Sequence, residues 1–487
     1  MADVNVFEVH VSLTSGKRKK IEISGDTTLN GLKALSQHAF NCGLLKIFST
    51  AYIPIPYEEP LSQFNVSEFT AVVVPVTMAA SFDSFAMYTY SNIVTWGKSV
   101  IPEQLDFQMR EHKICKVATT DYAFAAVLGN GSVVSWGKHH FGADSSLVQH
   151  RLKKVKDISA TRVSFCALLE DGTVVTWGHP EAGGIDESAD SSAVQDSLQN
   201  VKTVYANGYA FAALLENGTV VPWGEIDSGG SLVSDHIKKY LKNVQTIAAT
   251  NNAFAAIRID GSVITWGDME MGGDSSAVSH QLHSGVGVKE VVGAFGTFAA
   301  ILQDGTVTQW GRVPNLFDGG PMFSQIKSKL KNVKQICATE NAFAAVLENG
   351  TVVTWGDDLA GGDSSTVQHR LVNVQSISSS SLAFAALVGV GIHSCVVTWG
   401  CPPSADSSKV QDQLTNVLQV KGSVDSFVAF KANGTVVTWG GDDMQESSSV
   451  AEQLVPYLDW DGDFETRAWG QNSVVGQMVI DLNLNWD

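Results

Sequence analysis

The stretch Asn341–Gly356, NAFAAVLENGTVVTWG, decides how this chain is organised, because close copies of it recur along the sequence. Three of them are YAFAAVLGNGSVVSWG from Tyr122, YAFAALLENGTVVPWG from Tyr209 and NAFAAIRIDGSVITWG from Asn252. Successive Trp-Gly pairs lie 40 to 46 residues apart, at Trp96, Trp136, Trp177, Trp223, Trp266, Trp310, Trp355, Trp399 and Trp439. A tenth pair, Trp469-Gly470, lacks the phrase. A fixed period of this length indicates a repeat architecture.

Each typical phrase predicts a β-hairpin. An Asn-Gly or Asp-Gly pair, such as Asn349-Gly350, separates two apolar runs and accepts the positive φ angles of a two-residue hairpin turn. A further apolar stretch ahead of the hairpin, such as Val333–Ile336, predicts a third strand. A Phe precedes every Trp-Gly, and the paired alanines after most of these Phe residues would let neighbouring sheets approach closely.

A loop and a short helix follow most Trp-Gly pairs. S-x-x-Q patterns in these segments predict capping boxes, at Ser146…Gln149, Ser192…Gln195, Ser365…Gln368 and Ser408…Gln411. Such a unit cannot bury both faces of its sheet alone, so it must stack in a ring of blades or in an open solenoid, and a propeller fits better. The first copy lacks a clear third strand. We therefore expect the apolar tail stretch Val474–Ile480 to pair near the first hairpin and close the ring.

The repeated phrase resembles the repeat of the regulator-of-chromosome-condensation family and of the related β-lactamase inhibitory propellers, over about residues 80–470. The resemblance implies a mainly β, multi-bladed β-propeller over residues 80–487, with seven to nine three-stranded blades and short capped helices. That family usually has seven blades. Seven copies here carry the Asn/Asp-Gly turn, so the other two are candidates to lie outside a seven-bladed ring.

Residues 1–77 lack the repeat and predict a small α+β domain. Leu29, Leu32 and Leu35 lie at helical spacing. The segment resembles ubiquitin, a β-grasp fold, through VHVSLTSGKRKKIEIS and LSQFNV. The resemblance implies a partner-binding apolar patch near Leu13 and Ile47, although the third patch position is Pro75. No Gly-Gly tail follows the segment, which argues against conjugation to other proteins.

The composition is acidic, with 32 Lys and Arg against 50 Asp and Glu, and a net charge of −18. A field of that sign opposes binding to nucleic acids and to anionic membranes. The longest apolar run is too short to span a bilayer, and no secretory signal is recognised. The six cysteines form no CxxC motif and are expected to be free thiols. We expect a cytoplasmic or nuclear protein, and the sequence does not indicate an oligomeric state.

The sequence contains no Walker A, HExxH or GxSxG motif for catalysis or cofactor binding. His139, His140 and Asp144 could grip a metal ion, but adjacent histidines in a turn are more often exposed polar residues. We therefore expect no enzyme activity, no cofactor and no metal.

Acidic residues in the loops after Trp-Gly are the best functional lead, because equivalent loops of a ring emerge on one face. They include Asp268 with Glu270, Asp357 with Asp358, and Asp442 with Asp443. Helix capping would explain Asp274 and Asp363, but not the residues that come well before the cap. Those could serve solubility alone, bind a basic partner or capture Ca²⁺ weakly.

These observations favour a non-enzymatic interaction scaffold or adaptor whose propeller loop face binds a partner protein. The resemblance also allows guanine-nucleotide exchange on a small GTPase, or substrate recognition in the ubiquitin pathway. No ligase domain follows the repeats.

Overall fold

The computed structural model describes residues 6–441 except 41, 43, 51–54, 56–58, 91, 179–190, 232–234, 284 and 313–321. The Val474–Ile480 stretch, which we expected to close the ring, lies outside the described residues.

The N-terminal part is one mixed four-stranded sheet with a helix. Its elements are β1 (Val6–Leu13), β2 (Arg18–Ser24), α1 (Leu29–Phe40), β3 (Leu45–Ser49), a 3-10 turn (Leu61–Gln63) and β4 (Glu68–Val73). The strand order is β2-β1-β4-β3. The central strands β1 and β4 are parallel, while β1–β2 and β3–β4 are antiparallel.

The core-facing side of α1 differs from the prediction. Leu29 and Leu32 lie in the domain core, but Leu35 is 41% exposed. Three polar side chains are buried in its place, those of Lys33, Ser36 and Gln37. Leu35 lies three residues after Leu32, which is less than one helical turn, so its side chain points away from the core. Ser36 lies four residues after Leu32 and is again on the core-facing side.

The remaining sheets each contain three antiparallel strands that follow one another along the chain, and we call each a blade. There are nine within the described residues. Blades 1–3 are β5 (Thr77–Ala80), β6 (Ser84–Tyr88), β7 (Ile93–Gly97); β8 (Ile114–Thr119), β9 (Ala123–Leu128), β10 (Val133–Gly137); and β11 (Val155–Ala160), β12 (Ser164–Leu169), β13 (Val174–Gly178). Blades 4–6 are β14 (Val201–Ala206), β15 (Ala210–Leu215), β16 (Val220–Gly224); β17 (Val244–Ala249), β18 (Ala253–Arg258), β19 (Val263–Gly267); and β20 (Val288–Gly293), β21 (Thr297–Leu302), β22 (Val307–Gly311). Blades 7–9 are β23 (Val333–Ala338), β24 (Ala342–Leu347), β25 (Val352–Gly356); β26 (Val374–Ser379), β27 (Ala383–Val388), β28 (Cys395–Gly400); and β29 (Val417–Gly422), β30 (Ser426–Lys431), β31 (Val436–Gly440).

Short helices connect several blades. They are α2 (Glu103–His112), α3 (Asp235–Tyr240), α4 (Ser279–Leu282) and α5 (Phe323–Ile326). Shorter helical turns occupy other connections, among them Ser192–Ser197, Met269–Gly273, Gln368–Arg370 and Gln411–Gln413.

The Phe and Trp of the repeated phrase are cross-strand partners. In blade 7, Phe343 lies opposite Trp355, with ring centroids 5.2 Å apart and ring planes at 17°. Every blade contains such a stacked pair, with centroids 5.1–5.4 Å apart. Side chains alternate along a strand, so both rings of a pair emerge on the same face of the blade.

The alanines of the phrase receive this aromatic pair from the next blade. Ala342 and Ala344 of blade 7 are fully buried and belong to one apolar cluster with Phe384 and Trp399 of blade 8. Small side chains on one blade therefore leave room for two large rings on its neighbour, as the phrase predicted.

The blades form a closed ring. The first strand of each blade contacts the first strand of the next, from β5 and β8 through to β26 and β29, and β29 contacts β5. The first strands are therefore innermost. Two expectations are wrong. All nine copies belong to the ring, so two of them do not lie outside a seven-bladed ring. The first copy also has its own third strand, β5.

A belt of backbone hydrogen bonds joins the turns between the first and middle strands. Each N–H donates to the carbonyl of the equivalent turn residue in the next blade, at 2.7–3.1 Å. The eight successive bonds link Phe82, Asp121, Arg162, Gly208, Asn251, Phe295, Glu340, Ser381 and Val424. Among the described residues, no ninth bond joins Val424 to Phe82. We call this junction of blades 9 and 1 the seam. The loop face is the end of the ring that carries these turns and the loops after Trp-Gly; the hairpin face carries the Asn/Asp-Gly turns.

In blades 2, 7 and 8, the connecting segment bonds to the open edge of the outer strand. In blade 7, the Gln368 side-chain amide donates to the Val352 carbonyl at 3.0 Å and accepts from the Ser364 hydroxyl at 2.8 Å. Gln149 and Gln411 make the same pair of bonds in blades 2 and 8. The capping boxes predicted at Gln149, Gln368 and Gln411 are therefore wrong, because these glutamines bond to the edge strand instead of a helix N-terminus.

The N-terminal domain packs on the seam from the hairpin face. Leu44 shares an apolar cluster with Phe85 of blade 1 and Val436 of blade 9. Gly434, at φ +83°, lies so close that a Cβ there would be 2.7 Å from Gln37 Nε2 and 3.0 Å from Leu44 Cδ2. The helix side that contains Gln37 therefore faces blade 9.

Candidate functional site

The loops after Trp-Gly begin in register on the loop face. The first loop residue donates its N–H to a turn carbonyl of its own blade, as in Glu225 to Tyr209 at 3.1 Å and Asp268 to Asn252 at 3.0 Å. Asp357 repeats this bond in blade 7. Repeat-equivalent charged residues therefore leave the ring in the same direction, and the loops containing Asp268, Glu270, Asp357 and Asp358 share one face.

Asp268 and Asp357 also hold their own loops in shape. Asp268 Oδ1 accepts from the N–H of Glu270 at 2.9 Å and of Met271 at 3.3 Å. Asp357 Oδ1 accepts from the N–H of Leu359 at 2.9 Å. The expectation that capping-type bonds do not explain Asp357 is therefore wrong, because a second local turn precedes the one that Asp363 closes.

The aspartates before the Ser-Ser pairs close that later turn. Asp274 accepts from the N–H of Ser276, and Asp363 from the N–H of Ser365, both at 2.8 Å. Asp144 does the same in blade 2. The N–H and hydroxyl of Ser146 lower the pKa of Asp144 below its ordinary value, because they donate to its charged form. These carboxylates stabilise their own loops by accepting hydrogen bonds, so they are poor candidates for partner contacts.

Exposed apolar side chains lie beside the acidic residues. Ile226, Met269 and Leu359 are 56%, 70% and 68% exposed on the loops of blades 4, 5 and 7. Glu270 and Asp358, their immediate neighbours, are also exposed. We call these five residues the acidic-apolar rim. Sequence reasoning considered the charges and missed the apolar tips, although each lies two or three residues after a Trp-Gly pair.

Blades 1–3 carry a mixed group of charges on the loop face. Lys98, Lys138 and Arg162 lie there together with Asp83 and Asp121, and Arg162 forms an ion pair with Asp121 at 2.9 Å. Cations on this part of the face therefore lie next to carboxylates.

Other predicted site residues lie elsewhere. Leu13 and Ile47 are 9% and 2% exposed and belong to the core of the N-terminal sheet, so they form no apolar surface patch. Asp442 and Asp443 lie outside the described residues. His139 Nε2 is 3.0 Å from Asp144 Oδ2. Within the described part of the chain, no group of three or more His, Cys, Asp or Glu side chains could hold a metal ion.

The described helices are all too short or too polar to cross a membrane. No family model matches the sequence, and no curated protein matches it.

Some solved structures show a low likeness to this chain. Prp20p from Saccharomyces cerevisiae is 18% identical, with 78% of this chain and 94% of that chain covered and a TM-score of 0.39. Human WBSCR16 is 15% identical, with 75% and 87% covered and a TM-score of 0.36. The ectodomain of the Arabidopsis thaliana receptor kinase ACR4 is 17% identical, with 58% and 95% covered and a TM-score of 0.36. These values assign the chain to no family.

Proposed function

We propose that this protein is a non-enzymatic interaction module whose loop face binds a basic protein partner through the acidic-apolar rim. The observation that carries the proposal is the repeated pairing of an exposed apolar tip with a carboxylate, as in Met269 with Glu270 and Leu359 with Asp358. Scattered surface apolar residues need no explanation, but here the same combination recurs at adjacent positions of two equivalent loops, in the order Met-Glu in blade 5 and Asp-Leu in blade 7.

Solubility would account for the charges but not for the apolar tips. A side chain such as Met269, at 70% exposure, leaves most of its apolar area in water. Burying that area against a partner is favourable by about 25 cal/mol per Å². The carboxylates beside it would steer a basic partner and exclude acidic ones. A partner surface that alternates apolar and basic side chains fits this chemistry.

We also propose that the ring is a regulator-of-chromosome-condensation-like propeller, over about residues 80–487, and that residues 1–77 form a ubiquitin-like β-grasp domain. The repeated phrase supports the first assignment. The strand order β2-β1-β4-β3 around a parallel central pair supports the second. Because Leu13 and Ile47 are buried, we assign the domain no role in the ubiquitin pathway.

The partner should be captured from this face specifically. A photoreactive amino acid incorporated in place of Met269 would cross-link proteins bound at the rim, and mass spectrometry would identify them. The association rate of that partner would then be measured at low and high salt for the parent and for the double variant Glu270→Gln/Asp358→Asn. We expect slower association and weaker salt dependence in the variant, because two steering charges are lost.

A matched control changes the same amount of charge on the hairpin face. Asp171→Asn/Asp304→Asn gives these turns the residue that Asn349 and Asn433 supply in blades 7 and 9, so the turn bonds should persist. Its association rate should equal that of the parent. Equal rates for the rim variant and the parent, or an equal slowing by both variants, would contradict the proposal.

A further inference from the structure

A pocket opens on the loop face at the seam. It encloses about 160 Å³ and is lined by residues of blades 9, 1 and 2. The residues that matter below are Phe82, Asp83, Tyr122, Lys138 and Asp425. The pocket lies where the belt of hydrogen bonds is interrupted. In the described structure, no backbone N–H donates to the carbonyl of Phe82. The equivalent carbonyls of the other belt residues, from Asp121 to Val424, each accept one.

The sequence marks both sides of this pocket in the same way. Blade 1 reads SFDSF at Ser81–Phe85, and blade 9 reads SVDSF at Ser423–Phe427. Asp therefore occupies the third turn position on both sides of the seam. The equivalent residues of blades 2–8 are Tyr122, Val163, Tyr209, Asn252, Gly296, Asn341 and Leu382. The two carboxylates belong to the seam and not to the repeat.

Each carboxylate is held in place by the serine that follows it. Ser84 Oγ donates to Asp83 Oδ1 at 3.0 Å, and Ser426 Oγ donates to Asp425 Oδ1 at 2.9 Å. The Asp83 side chain is only 9% exposed. Its Oδ2 lies 4.0 Å from Lys138 Nζ, beyond hydrogen-bond distance, and accepts no hydrogen bond from the described residues. A buried carboxylate oxygen without a donor is costly, so this oxygen is a ready acceptor.

The wall opposite the carboxylates is aromatic. The rings of Phe82 and Tyr122 have centroids 5.1 Å apart. Lys138 Nζ lies 3.5 Å from the centroid of the Tyr122 ring, so the protein's own ammonium occupies a cation–π position inside the pocket. This intramolecular contact shows which chemistry the pocket selects, since the ring face and Asp83 both attract a cation.

We infer that the seam pocket binds an arginine side chain of the partner, in the place that the Lys138 ammonium occupies. The inference rests on the proposed function, because it names one anchor of the same basic partner. A guanidinium would stack on Tyr122, donate to Asp83 and Asp425, and reach the carbonyl of Phe82. Lys138 is half exposed, so it can leave the pocket for solvent.

Arginine suits this pocket better than lysine. Its planar group presents five donors in a fixed fork, matches carboxylates in pairs and stacks on aromatic rings. Lysine offers a compact charge that the protein already supplies through Lys138. Charge alone would not distinguish the two, so the shape and the aromatic wall set the preference.

The test uses a short peptide with one arginine and blocked termini, titrated into the full chain and followed by ligand-detected NMR. Its citrulline counterpart is a neutral isostere, and its lysine counterpart keeps the charge. We expect saturable binding of the arginine peptide only. Asp83→Asn and Asp425→Asn should each weaken it by about tenfold or more, as expected for a charge-assisted bond. Lys138→Ala should tighten it several-fold, because the internal competitor is removed.

The control variant Asp227→Asn changes an exposed carboxylate on the blade 4 loop of the same face, outside both the pocket and the acidic-apolar rim, so it should leave binding of the arginine peptide unchanged. Thermal unfolding of each variant would show that the ring is intact. Equal binding of the citrulline peptide, no saturable binding, or weaker binding to Lys138→Ala would overturn the inference. If the peptide binds as expected while rim variants leave partner association unchanged, only the proposed function fails. If the rim variants slow the partner while the pocket variants have no effect on the peptide, only this inference fails.

Discussion

The junction between blades 7 and 8 and the seam between blades 9 and 1 join the same kinds of strand with different side chains. At the first, Ala342 and Ala344 meet the stacked rings of blade 8. At the seam, Val428 takes the position of Ala344, and Met87 of blade 1 takes the position of an alanine in blade 8. The belt bond forms at the first junction and not at the second. The seam therefore combines larger side chains with the loss of one belt bond, and the pocket opens where that bond is missing.

The two junctions also differ on the hairpin face. The N–H of Val374 donates to the carbonyl of Gly350 across blades 7 and 8 at 2.9 Å. At the seam, the equivalent turn at Gly434 packs against Gln37 and Leu44 of the N-terminal domain. A repeat phrase can specify a junction between identical units, whereas the meeting of the first and last units needs residues of its own.

The largest expected effect is at a regular junction. Trp355 is 1% exposed, and its Nε1–H donates to Gln309 Oε1 at 2.7 Å. Trp355→Ala should lower the free energy of unfolding by about 3–5 kcal/mol, because a large buried ring leaves a cavity. Chemical denaturation measures this. The seam counterpart Trp96 is 8% exposed, and its Nε1 has no partner among the described residues. Trp96→Ala should cost about 1 kcal/mol less. Equal losses would show that the junction of blades 6 and 7, where Trp355 lies, and the seam are energetically alike.

The next effect concerns pH and the domain that covers the seam. Lys33 lies one helical turn before Gln37 and is 4% exposed. Burial lowers the pKa of Lys33 from 10.5 to about 8. Between these pH values, the unfolded chain keeps a proton that the folded chain has released, so stability rises with pH across this window. The gain is up to about 3 kcal/mol.

Denaturation curves collected through that pH window would test this sign. Lys33→Met should raise stability at neutral pH and flatten the rise, because no ammonium has to be buried. Lys202→Met removes an exposed lysine and serves as the control, with the rise intact. An unchanged slope in Lys33→Met would mean that another group causes it.

A smaller loss is expected from Leu44→Ala. Leu44 is 4% exposed and packs between blades 9 and 1. The substitution should cost about 2 kcal/mol, the low end for a buried leucine, because the domain and the blades can close on the space. Hydrogen exchange would locate the change, with faster exchange in β5, β6 and β30 and none in blades 4–6. Faster exchange spread evenly over the ring would argue against a separate seam.

The smallest effect converts a regular junction towards the seam. Ala344→Val places the seam's Val428 side chain between blades 7 and 8, where the stacked pair leaves no room. The overpacking should cost about 1 to 2 kcal/mol. Denaturation of this variant and of Val428→Ala would compare both directions. A neutral Ala344→Val would show that side-chain size does not set the spacing of the blades.

Much of the ring could be predicted because its information is local. The Asn349-Gly350 turn fixes the register of its hairpin, and the register alone places Phe343 opposite Trp355. The short strand β5 was missed because its sequence, TMAA, lacks the two β-branched residues, Val or Ile, that lie three apart in the other first strands. Its contact with β29 of the last blade joins residues far apart in the sequence, which no local pattern records.

The site was harder to predict than the fold. The acidic loops were recognised, but the bond from Leu359 to Asp357 depends on loop geometry that the sequence does not display. Two SxDSF copies are visible in the sequence, yet their meaning depends on blades 1 and 9 being neighbours. The resemblance to ubiquitin placed Leu13 and Ile47 on the surface, but both lie in the core of the N-terminal sheet. A shift of one residue along a strand is enough to move a side chain to the other face.

Each blade is built from three consecutive strands, and this has an evolutionary consequence. Duplication or deletion of one repeat adds or removes a complete blade, because no strand of a blade comes from a neighbouring repeat. The junctions between internal blades then stay equivalent, and only the seam between the first and last blades must adapt to the new number of blades. Related proteins can thus change their number of blades by recombination, while selection acts mainly on the seam. In this chain the seam carries two aspartates and the N-terminal domain.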